Sequence, residues 1–320
     1  MQKDPLGLLG RLNAASLMMI TPEFYKLWSK RIKGAGRIIN TPSNFAMKPK
    51  YMKIDGINIR YATSGNVDGP TVLFLSPLPQ SILCYDKTWS ALSDDANLVA
   101  VDLPGFGKSE GGMSFTTFSA QSEFLQKFIN KLELSNLHIV APDVGMPVAL
   151  HYVLHRDHKV KSILLGAGPS VQPSADGSLV KKMIYSKFWR LVFTFTGAPA
   201  FIAGANHLGY LNYRPSAEEV RDYVSSYSGR IGQVTKWFKG YPDGCKEIDP
   251  HLNKINIPVH ILWGDQDAFL KADNAEQLHT RLHNSNLTIF KDCGHFFYQD
   301  KCSEFTKLLK SWVNGGYKQN

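Results

Sequence analysis

The sequence predicts an α/β protein whose mostly parallel central sheet is covered by helices on both faces and interrupted by a helical insert. Short, continuous apolar runs recur along the chain, which is typical of strands buried on both faces of a parallel sheet. Helical patterns separate most of these runs and favour right-handed β-α-β connections. The alternation stops over one long aromatic-rich stretch and resumes after it, which indicates an insert.

The predicted sheet begins with a hairpin over residues 52–61, where two alternating runs flank the turn Asp55-Gly56. The remaining strands are short apolar runs, predicted at residues 71–75, 97–102, 137–140, 160–165, 259–263 and 287–290. Before the hairpin, residues 1–48 have the pattern of a helical extension that ends in a proline-containing stretch at residues 41–44. The series predicts one core domain with two additions.

These patterns divide the chain into an extension (residues 1–48), a core in two parts (residues 49–168 and 252–320) and an insert (residues 169–251). The insert is strand-poor and aromatic, and we expect it to form a helical lid over the core. An aromatic, weakly polar lid favours a small apolar or aromatic substrate over a sugar or a phosphate. The lid aromatic residues behind this expectation are Phe188, Phe193, Phe195, Trp237 and Phe238.

A chain of 320 residues with 43% apolar composition can bury a large core. By sequence, no apolar run reaches the length that crosses a bilayer, and the N-terminus lacks the pattern of a cleavable signal peptide. The cysteines are scattered without a C-x-x-C pair, so reduced thiols in a cytoplasmic protein are predicted rather than a zinc site or disulfides. They are Cys84, Cys245, Cys293 and Cys302.

The net charge of +9 is moderate, and part of it gathers in one segment, at Lys26, Lys30, Arg31, Lys33 and Arg37. Such a cluster is typical of a solvated helical face, and it is also compatible with an acidic membrane surface or with nucleic acid. No nucleic-acid-binding module accompanies the cluster, so we expect no nucleic-acid partner.

Residues 137–147 predict a buried strand, a sharp turn and the start of a helix, with Asp143 at the turn. Small residues two positions before and after it, Ala141 and Gly145, allow the chain to turn tightly and expose the central side chain. That is the geometry of the nucleophile elbow G-x-S-x-G, with aspartate in place of serine. A carboxylate is a poor acyl-transfer nucleophile, but it can displace a leaving group from saturated carbon and form an ester.

Two later loops contain the groups that usually follow such a nucleophile. Asp265 and Asp267 come after the strand at residues 259–263, at the strand end where ligands bind in open α/β sheets. His295 follows the last predicted strand, 28 residues after Asp267 (295 − 267). The spacing after Gly264 favours Asp267 as the partner of His295, and Asp265 is then a turn or cap residue.

These residues give the chain a resemblance to the aspartate-nucleophile branch of the α/β-hydrolase superfamily, which contains epoxide hydrolases, haloalkane dehalogenases and fluoroacetate dehalogenases. The motifs that carry it are APDVG at 141–145, DLPGFGKS at 102–109, WGDQD at 263–267 and CGH at 293–295. The resemblance covers about residues 50–318 and implies the α/β-hydrolase fold. The loop at 102–109 lacks the spacing of a dinucleotide site, and no metal or organic cofactor is implied, since water is the second substrate.

By this resemblance, Asp143 is the nucleophile, His295 is the base that activates water, and Asp267 is the carboxylate that orients and stabilises His295. The oxyanion that forms on the aspartate ester would be held by the backbone N–H groups of Leu78 and Val144. The resemblance therefore implies hydrolysis in two halves, through an alkyl-enzyme ester.

Three features depart from the family pattern. The loop at residues 76–79 is Ser-Pro-Leu-Pro where relatives usually have His-Gly-x-Pro, and proline in place of glycine removes an N–H. Val144 occupies the position of the halide-binding tryptophan of haloalkane dehalogenases and of the arginine of fluoroacetate dehalogenases. Phe238 occupies the position of a lid tyrosine that protonates the opening oxygen in epoxide hydrolases. Tyr227 and Tyr241 are nearby replacements for it, and the first lid donor is expected at Tyr210 or Tyr213, or at His207 as in variants that pair a histidine with a tyrosine.

The sequence leaves several functions open. The leading hypothesis is hydrolysis of an epoxide through an ester on Asp143, and hydrolysis of a carbon–halogen bond is the alternative on the same chemistry. A third hypothesis is a non-catalytic binding protein on this fold, against which the retention of Asp143, Asp267 and His295 together argues. A proton-abstraction reaction with Asp143 and His295 as a dyad is the fourth.

Overall fold

The structure is a computed structural model that describes residues 4–31, 36–39 and 44–318; Lys33 and the proline-containing residues 41–43 lie outside the described part. Eight strands in this part form one sheet in the order β1-β2-β4-β3-β5-β6-β7-β8. The strands are β1 (Lys50–Ile54), β2 (Ile57–Gly65), β3 (Thr71–Leu75), β4 (Asn97–Val101), β5 (Leu137–Pro142), β6 (Val160–Gly166), β7 (Val259–Gly264) and β8 (Ser285–Phe290). The pairs β1–β2 and β2–β4 are antiparallel and the other pairs are parallel. The predicted α/β fold with a mostly parallel sheet is confirmed.

Twelve helices of the described chain surround this sheet. They are α1 (Gly7–Met18), α2 (Pro22–Trp28), α3 (Asp86–Leu92), α4 (Phe118–Lys131), α5 (Gly145–His155), α6 (Ser178–Tyr185), α7 (Lys187–Gly209), α8 (Ala217–Tyr227), α9 (Ile231–Ile248), α10 (Asp273–Arg281), α11 (Phe297–Asp300) and α12 (Cys302–Val313). Short 3₁₀ turns cover Ile82–Tyr85, Met113–Phe115, Asp249–Lys254 and Gly316–Lys318. Helices α4 and α5 pack together, as do α3 and α12.

The strands follow the sequence closely because their patterns are local. The hairpin turns at Asp55 (φ 50°) and Gly56 (φ 82°), two left-handed positions in succession, which is the backbone of a two-residue hairpin turn. Every residue of β3 and β5 is buried, as expected for central parallel strands. The last strand begins at Ser285, two residues before its predicted start.

The lid helices α6–α9 lie in the chain between β6 and β7, and a buried ionic cluster ties α8 to the core. Arg60 of β2 lies 3.0 Å from Asp222 of α8 and 3.5 Å from Asp102. Lys108 and the hydroxyl of Ser81 also contact Asp222, at 2.6 Å each. Burial raises the pKa of Asp102 to about 6, although Arg60 opposes the shift. The cluster holds the lid over the carboxyl ends of the strands.

The N-terminal extension is helical over α1 and α2 and non-helical at residues 36–39, where Ile39 forms a β-bridge with Ser216. Helix α1 packs along α7 of the lid. The crossing is close at Gly10, where a Cβ would lie 2.6 Å from the Cβ of Pro199, so a larger residue does not fit without movement. The extension is therefore attached to the lid.

Helix α7 is long and apolar enough, by length and composition alone, to cross a membrane, with 33% of its most apolar stretch buried. The sequence pattern did not predict such a helix, because basic and polar residues near its start interrupt the apolar run. Gly197 (φ 76°, ψ 176°) breaks the helical backbone inside it, two residues before Pro199. One such helix is weak evidence of a membrane span, since core helices of soluble proteins have similar length and composition.

Asp300 joins the lid to the loop that carries His295. Its carboxylate accepts hydrogen bonds from the backbone N–H groups of Leu211 (2.8 Å), Asn212 (2.9 Å) and Tyr213 (2.8 Å) after α7, and of Gly294 (2.8 Å). Burial raises the pKa of Asp300 although these donors oppose the shift. One buried carboxylate therefore satisfies four backbone donors from two loops.

Asp300→Asn is expected to lower the free energy of unfolding by about 2–4 kcal/mol, because an amide accepts through one oxygen only and turns an NH₂ group towards two of the four donors. Urea denaturation measures the change. The matched control is Asp68→Asn in an exposed loop, for which a change within about 0.5 kcal/mol is expected. Equal stabilities of the two variants would show that Asp300 does not tie these loops together.

Candidate active site

Asp143 occupies a sharp turn between β5 and α5. Its φ is +52°, a left-handed conformation that is strained for a residue with a Cβ and is the backbone of a nucleophile elbow. The Asp143 N–H donates to the carbonyl of Gly166 (2.9 Å). A Cβ at Gly145 would lie 3.0 Å from the Cβ of Leu75, and one at Gly168 would lie 2.3 Å from the Asp143 carbonyl oxygen. The tight turn at Asp143 therefore depends on glycine at positions 145 and 168, where a side chain would collide with its surroundings.

The carboxylate of Asp143 is almost fully buried, with 8% of the residue exposed. The backbone N–H of Leu78 donates a hydrogen bond of 3.0 Å to its Oδ2. Proline at position 77 removes a different N–H, so the unusual loop retains this donor. Val144 is the N-cap residue of α5 and lines the same cavity as Asp143. The two residues predicted for an oxyanion hole therefore both lie beside the carboxylate.

His295 lies between two carboxylates. Its Nδ1 is 2.7 Å from Oδ2 of Asp267, and its Nε2 is 3.7 Å from Oδ2 of Asp143. The other oxygen of Asp267 accepts from the N–H groups of Phe269 (2.8 Å) and Leu270 (3.0 Å), which fix the carboxylate. The structure therefore brings together the three side chains that the sequence places in three separate loops.

Asp265 has a different position from Asp267. Its carboxylate accepts a hydrogen bond of 3.1 Å from the backbone N–H of Cys293, at the start of the histidine loop. Of the two acidic residues after β7, Asp267 is the one that contacts His295. Asp265 caps the loop, as the spacing predicts.

Burial and charge act in opposite directions on the pKa values of His295 and Asp143. Burial by itself would lower the pKa of His295, but the negative charges of Asp267 and Asp143 outweigh it and raise the pKa to about 10. Burial raises the pKa of Asp143, against the opposing effects of His295 and of the Leu78 N–H. In the free protein His295 is therefore held as an imidazolium, and loss of the Asp143 charge would lower its pKa.

Asp143 and His295 face a cavity with about 70 Å³ of free space, against the ~10–15 Å³ that one water molecule requires. Asp143, His295 and Tyr241 provide titratable groups in a wall that is otherwise largely apolar. The other lining residues are Ala14, Leu17, Met18, Leu78, Pro79, Val144, Pro169, Leu179, Val180, Met183, Phe193, Ala200, Phe201, Gly204, Ala205, Trp237, Phe238, Phe269 and Leu270. Such a cavity suits a small apolar molecule.

A comparison of the sequence with known families supports the fold that the sheet, the elbow and the three loops indicate. A family profile described as the alpha/beta hydrolase fold matches residues 70–301, more than half of the chain. The chain belongs to the α/β-hydrolase fold family.

Similar proteins in this family differ in activity. The chain is 24% identical to the dihydrolipoyllysine-residue acetyltransferase component of the acetoin cleaving system of Cupriavidus necator, over 83% of this chain and 69% of the relative. It is 23% identical to epoxide hydrolase 3 of Xenopus tropicalis, over 82% of this chain and 76% of the relative. The crystal structure of the haloalkane dehalogenase DbeA from Bradyrhizobium elkani superposes with a TM-score of 0.72 at 19% identity, covering 85% of this chain and 99% of that one. At these identities the structural likeness shows the fold alone.

Tyr241 is the predicted lid donor that lines the cavity of this α/β-hydrolase, and its hydroxyl lies 2.5 Å from Asp176. The other candidates have their polar atoms engaged elsewhere. Tyr210 bonds Gln80 and Gln299, Tyr213 bonds Glu219, Tyr227 bonds the backbone of Gln80 and Gly107, and His207 contacts Arg31. Sequence spacing could not separate these candidates because all lie on helices or turns near the cavity.

The lid aromatic residues divide into two groups. Phe193, Trp237 and Phe238 line the cavity, as expected for an apolar substrate. Phe188 and Phe195 lie on the outside of the lid, with 66% and 85% of their surface exposed, so only some of the lid aromatic residues face the cavity. Helical periodicity separates the two faces of α7 but does not show which face meets the core.

One wall of the cavity comes from the N-terminal extension, for which the sequence predicted no role. Ala14, Leu17 and Met18 of α1 line the same cavity as Asp143 and His295. The available signal was the composition of α1, in which every residue except Arg11, Asn13 and Ser16 is apolar. A helix of that kind is rarely left fully in solvent.

Asp143→Asn is expected to lower the pKa of His295 from about 10 by about 1–3 units, because it removes one of the two charges that stabilise the imidazolium. Titration of the imidazole signals by NMR measures the shift. Asp265→Asn is the control, since Asp265 bonds Cys293 and does not touch His295, and it should leave the titration nearly unchanged. An unchanged pKa in Asp143→Asn would contradict the charge pairing described here.

Proposed function

We propose that this α/β-hydrolase opens epoxides by forming an ester on Asp143 and hydrolysing it with water activated by His295. The observation that carries the proposal is a carboxylate, rather than a hydroxyl, on a left-handed elbow with a backbone donor at 3.0 Å and a histidine at 3.7 Å. A carboxylate in that place suits displacement at saturated carbon.

In the first half, one oxygen of Asp143 attacks a ring carbon and the carbon–oxygen bond of the epoxide breaks. Oδ2 accepts from Leu78, so Oδ1 is the atom that we expect to form the new bond. The opening oxygen requires a proton. Among the described residues that line the cavity, Tyr241 is the only titratable group besides Asp143 and His295.

Asp176 supports this role of Tyr241. It is buried, with 4% of its surface exposed, and burial raises its pKa. Its Oδ1 lies 2.5 Å from the Tyr241 hydroxyl and also accepts from Ser174. These two hydrogen bonds fix the position of the Tyr241 hydroxyl at the cavity wall, from which its proton can move to the opening oxygen.

In the second half, the ester has removed the charge of Asp143, so the pKa of His295 falls and the imidazolium releases its extra proton to solvent. His295 then takes a proton from water, the hydroxide oxygen bonds to the carboxyl carbon of Asp143, and Asp267 stabilises the imidazolium. The negative charge develops on Oδ2, where Leu78 donates. Collapse breaks the Cγ–Oδ1 bond, and His295 returns the proton to the departing alkoxide. The regenerated carboxyl group of Asp143 gives up its hydroxyl proton, which replaces the one that Tyr241 donated, and the diol leaves.

A second candidate is hydrolysis of a carbon–halogen bond. One observation favours it: Trp237 lines the cavity, and an indole N–H is a donor that could stabilise a departing halide. Val144, which has no side-chain donor, and the hydroxyl of Tyr241 favour the epoxide.

His295→Gln is expected to trap the ester, because Asp143 can still be alkylated while the base that activates water is absent. The variant is incubated with a panel of epoxides and alkyl halides, and the intact-protein mass is recorded. A gain equal to a whole epoxide, on the peptide that contains Asp143, is the expected result.

Three comparisons make this result specific. Asp143→Asn should gain no mass with the same panel, and wild type should turn over the compound that labels His295→Gln. A gain equal to an alkyl halide minus HX would show the second candidate instead. An absence of adducts in the variant, together with an inert wild type, would favour a non-catalytic binding protein.

Tyr241→Phe is expected to slow ester formation from an epoxide by about 10²-fold, because a positioned acid typically contributes about 10²–10⁴ in rate. The rate is measured in the His295→Gln background, by mass, so that hydrolysis does not interfere. Ester formation from an alkyl halide should change little, since a halide leaves without a proton. Tyr185→Phe on the exposed end of α6 is the matched control, and equal rates in the two variants would exclude Tyr241 as the donor.

A further inference from the structure

Helix α1 has two apolar faces, and only one of them is covered. Gly10, Ala14 and Met18 are buried against the lid. The opposite face carries large apolar side chains that are mostly exposed: Leu8 (76%), Leu9 (71%) and Leu12 (56%), followed by Met19 (58%) and Ile20 (49%). An apolar face of this kind on a surface helix indicates a binding partner.

The exposed apolar surface continues on α2 and on the first half of α7. Tyr25 (60%) and Trp28 (68%) project from α2, and Phe188 (66%), Leu191 (48%) and Phe195 (85%) from α7. Positions 188, 191 and 195 fall on one helical face. We call the exposed side chains of α1, α2 and this half of α7 the lid-side patch.

Contacts between these helices place α1 and α2 beside α7. The close approach of Gly10 to Pro199 brings the start of α1 beside the turn that follows Phe195. Helix α2 also packs on α7. The lid-side patch contains four aromatic residues. At ~150–250 Å² for each aromatic side chain, their exposed fractions together amount to roughly 500 Å², which already equals the largest apolar patch of a typical monomer.

The charged residues around the patch are mainly basic. Four lysines are exposed there: Lys26 on α2, Lys30 just after α2, Lys181 on α6 and Lys187 on α7. Helices α1, α6 and α7 contain no acidic residue in their sequences, and Glu23 of α2 is engaged with Ser178. Apolar, Trp and Tyr side chains interleaved with lysines are the composition of helices that lie in the interface of an anionic membrane.

We propose that the lid-side patch docks this protein on the surface of an anionic lipid bilayer, with α1, α2 and the first half of α7 lying in the headgroup region. A spanning arrangement does not fit, because Gly197 breaks α7 after ten residues, and a span requires about 20. A second copy of the chain fits less well, since a two-fold contact would bring lysines of both copies together without carboxylates between them.

The placement has a consequence for the cavity. Helix α1 carries both the outer apolar side chains and the cavity-lining residues Ala14, Leu17 and Met18, so the docked protein has one cavity wall against the bilayer. Molecules dissolved in the membrane would then be one helix away from Asp143. Docking itself is independent of the chemistry proposed above, because binding is measured without turnover.

The test is flotation of the full chain with vesicles of phosphatidylcholine alone or mixed with phosphatidylglycerol. Wild type is expected to float with the anionic vesicles and to bind less at high salt. The triple variant Leu8→Ser, Leu12→Ser, Phe195→Ser should bind at least about tenfold more weakly, because the apolar side chains that enter the interface are lost. Lys26→Glu with Lys187→Glu should remove the preference for anionic vesicles.

The control variant replaces two exposed apolar residues outside the patch, Tyr51 (55%) and Val67 (78%), with serine. It should bind like wild type, and circular dichroism should show that all variants remain folded. Three outcomes would overturn the proposal: wild type that floats with neither vesicle, equal loss of binding in the triple and control variants, or a dimer in light scattering that the triple variant dissociates.

Discussion

Asp143 adopts a left-handed backbone at the end of β5, a conformation that is costly for a residue with a side chain. The surrounding residues stabilise it: the Gly166 carbonyl accepts its N–H, and Gly145 and Gly168 leave room for the close turn. This turn places the carboxylate beyond the sheet, within reach of the Leu78 N–H. The position of every other group of the site is defined relative to it.

A second set of constraints is electrostatic. His295 is buried between Asp143 and Asp267, and the two negative charges raise its pKa. An ester on Asp143 would remove one charge and leave the other, which links the two halves of the proposed reaction. Away from the site, Asp300 and the cluster around Asp222 hold the lid and the histidine loop in position through buried carboxylates.

The N-terminal extension connects the cavity with the outer surface. Helix α1 fits against the lid at Gly10, provides a wall of the cavity, and presents Leu8 and Leu12 to the outside. One short helix thus contributes to the apolar cavity that surrounds Asp143 and to an apolar surface bordered by lysines. A substrate that partitions into membranes would suit both features.

The sequence by itself determined the strands, the elbow at Asp143 and the order of the loops, because strand patterns and tight turns depend on neighbouring residues. It also favoured Asp267 over Asp265 from spacing alone. Only the tertiary structure decided that Tyr241 lines the cavity, that Phe195 lies outside the lid and that α1 closes one wall. These are relations between segments far apart in the chain, and they depend on how helices cross, which local periodicity does not encode.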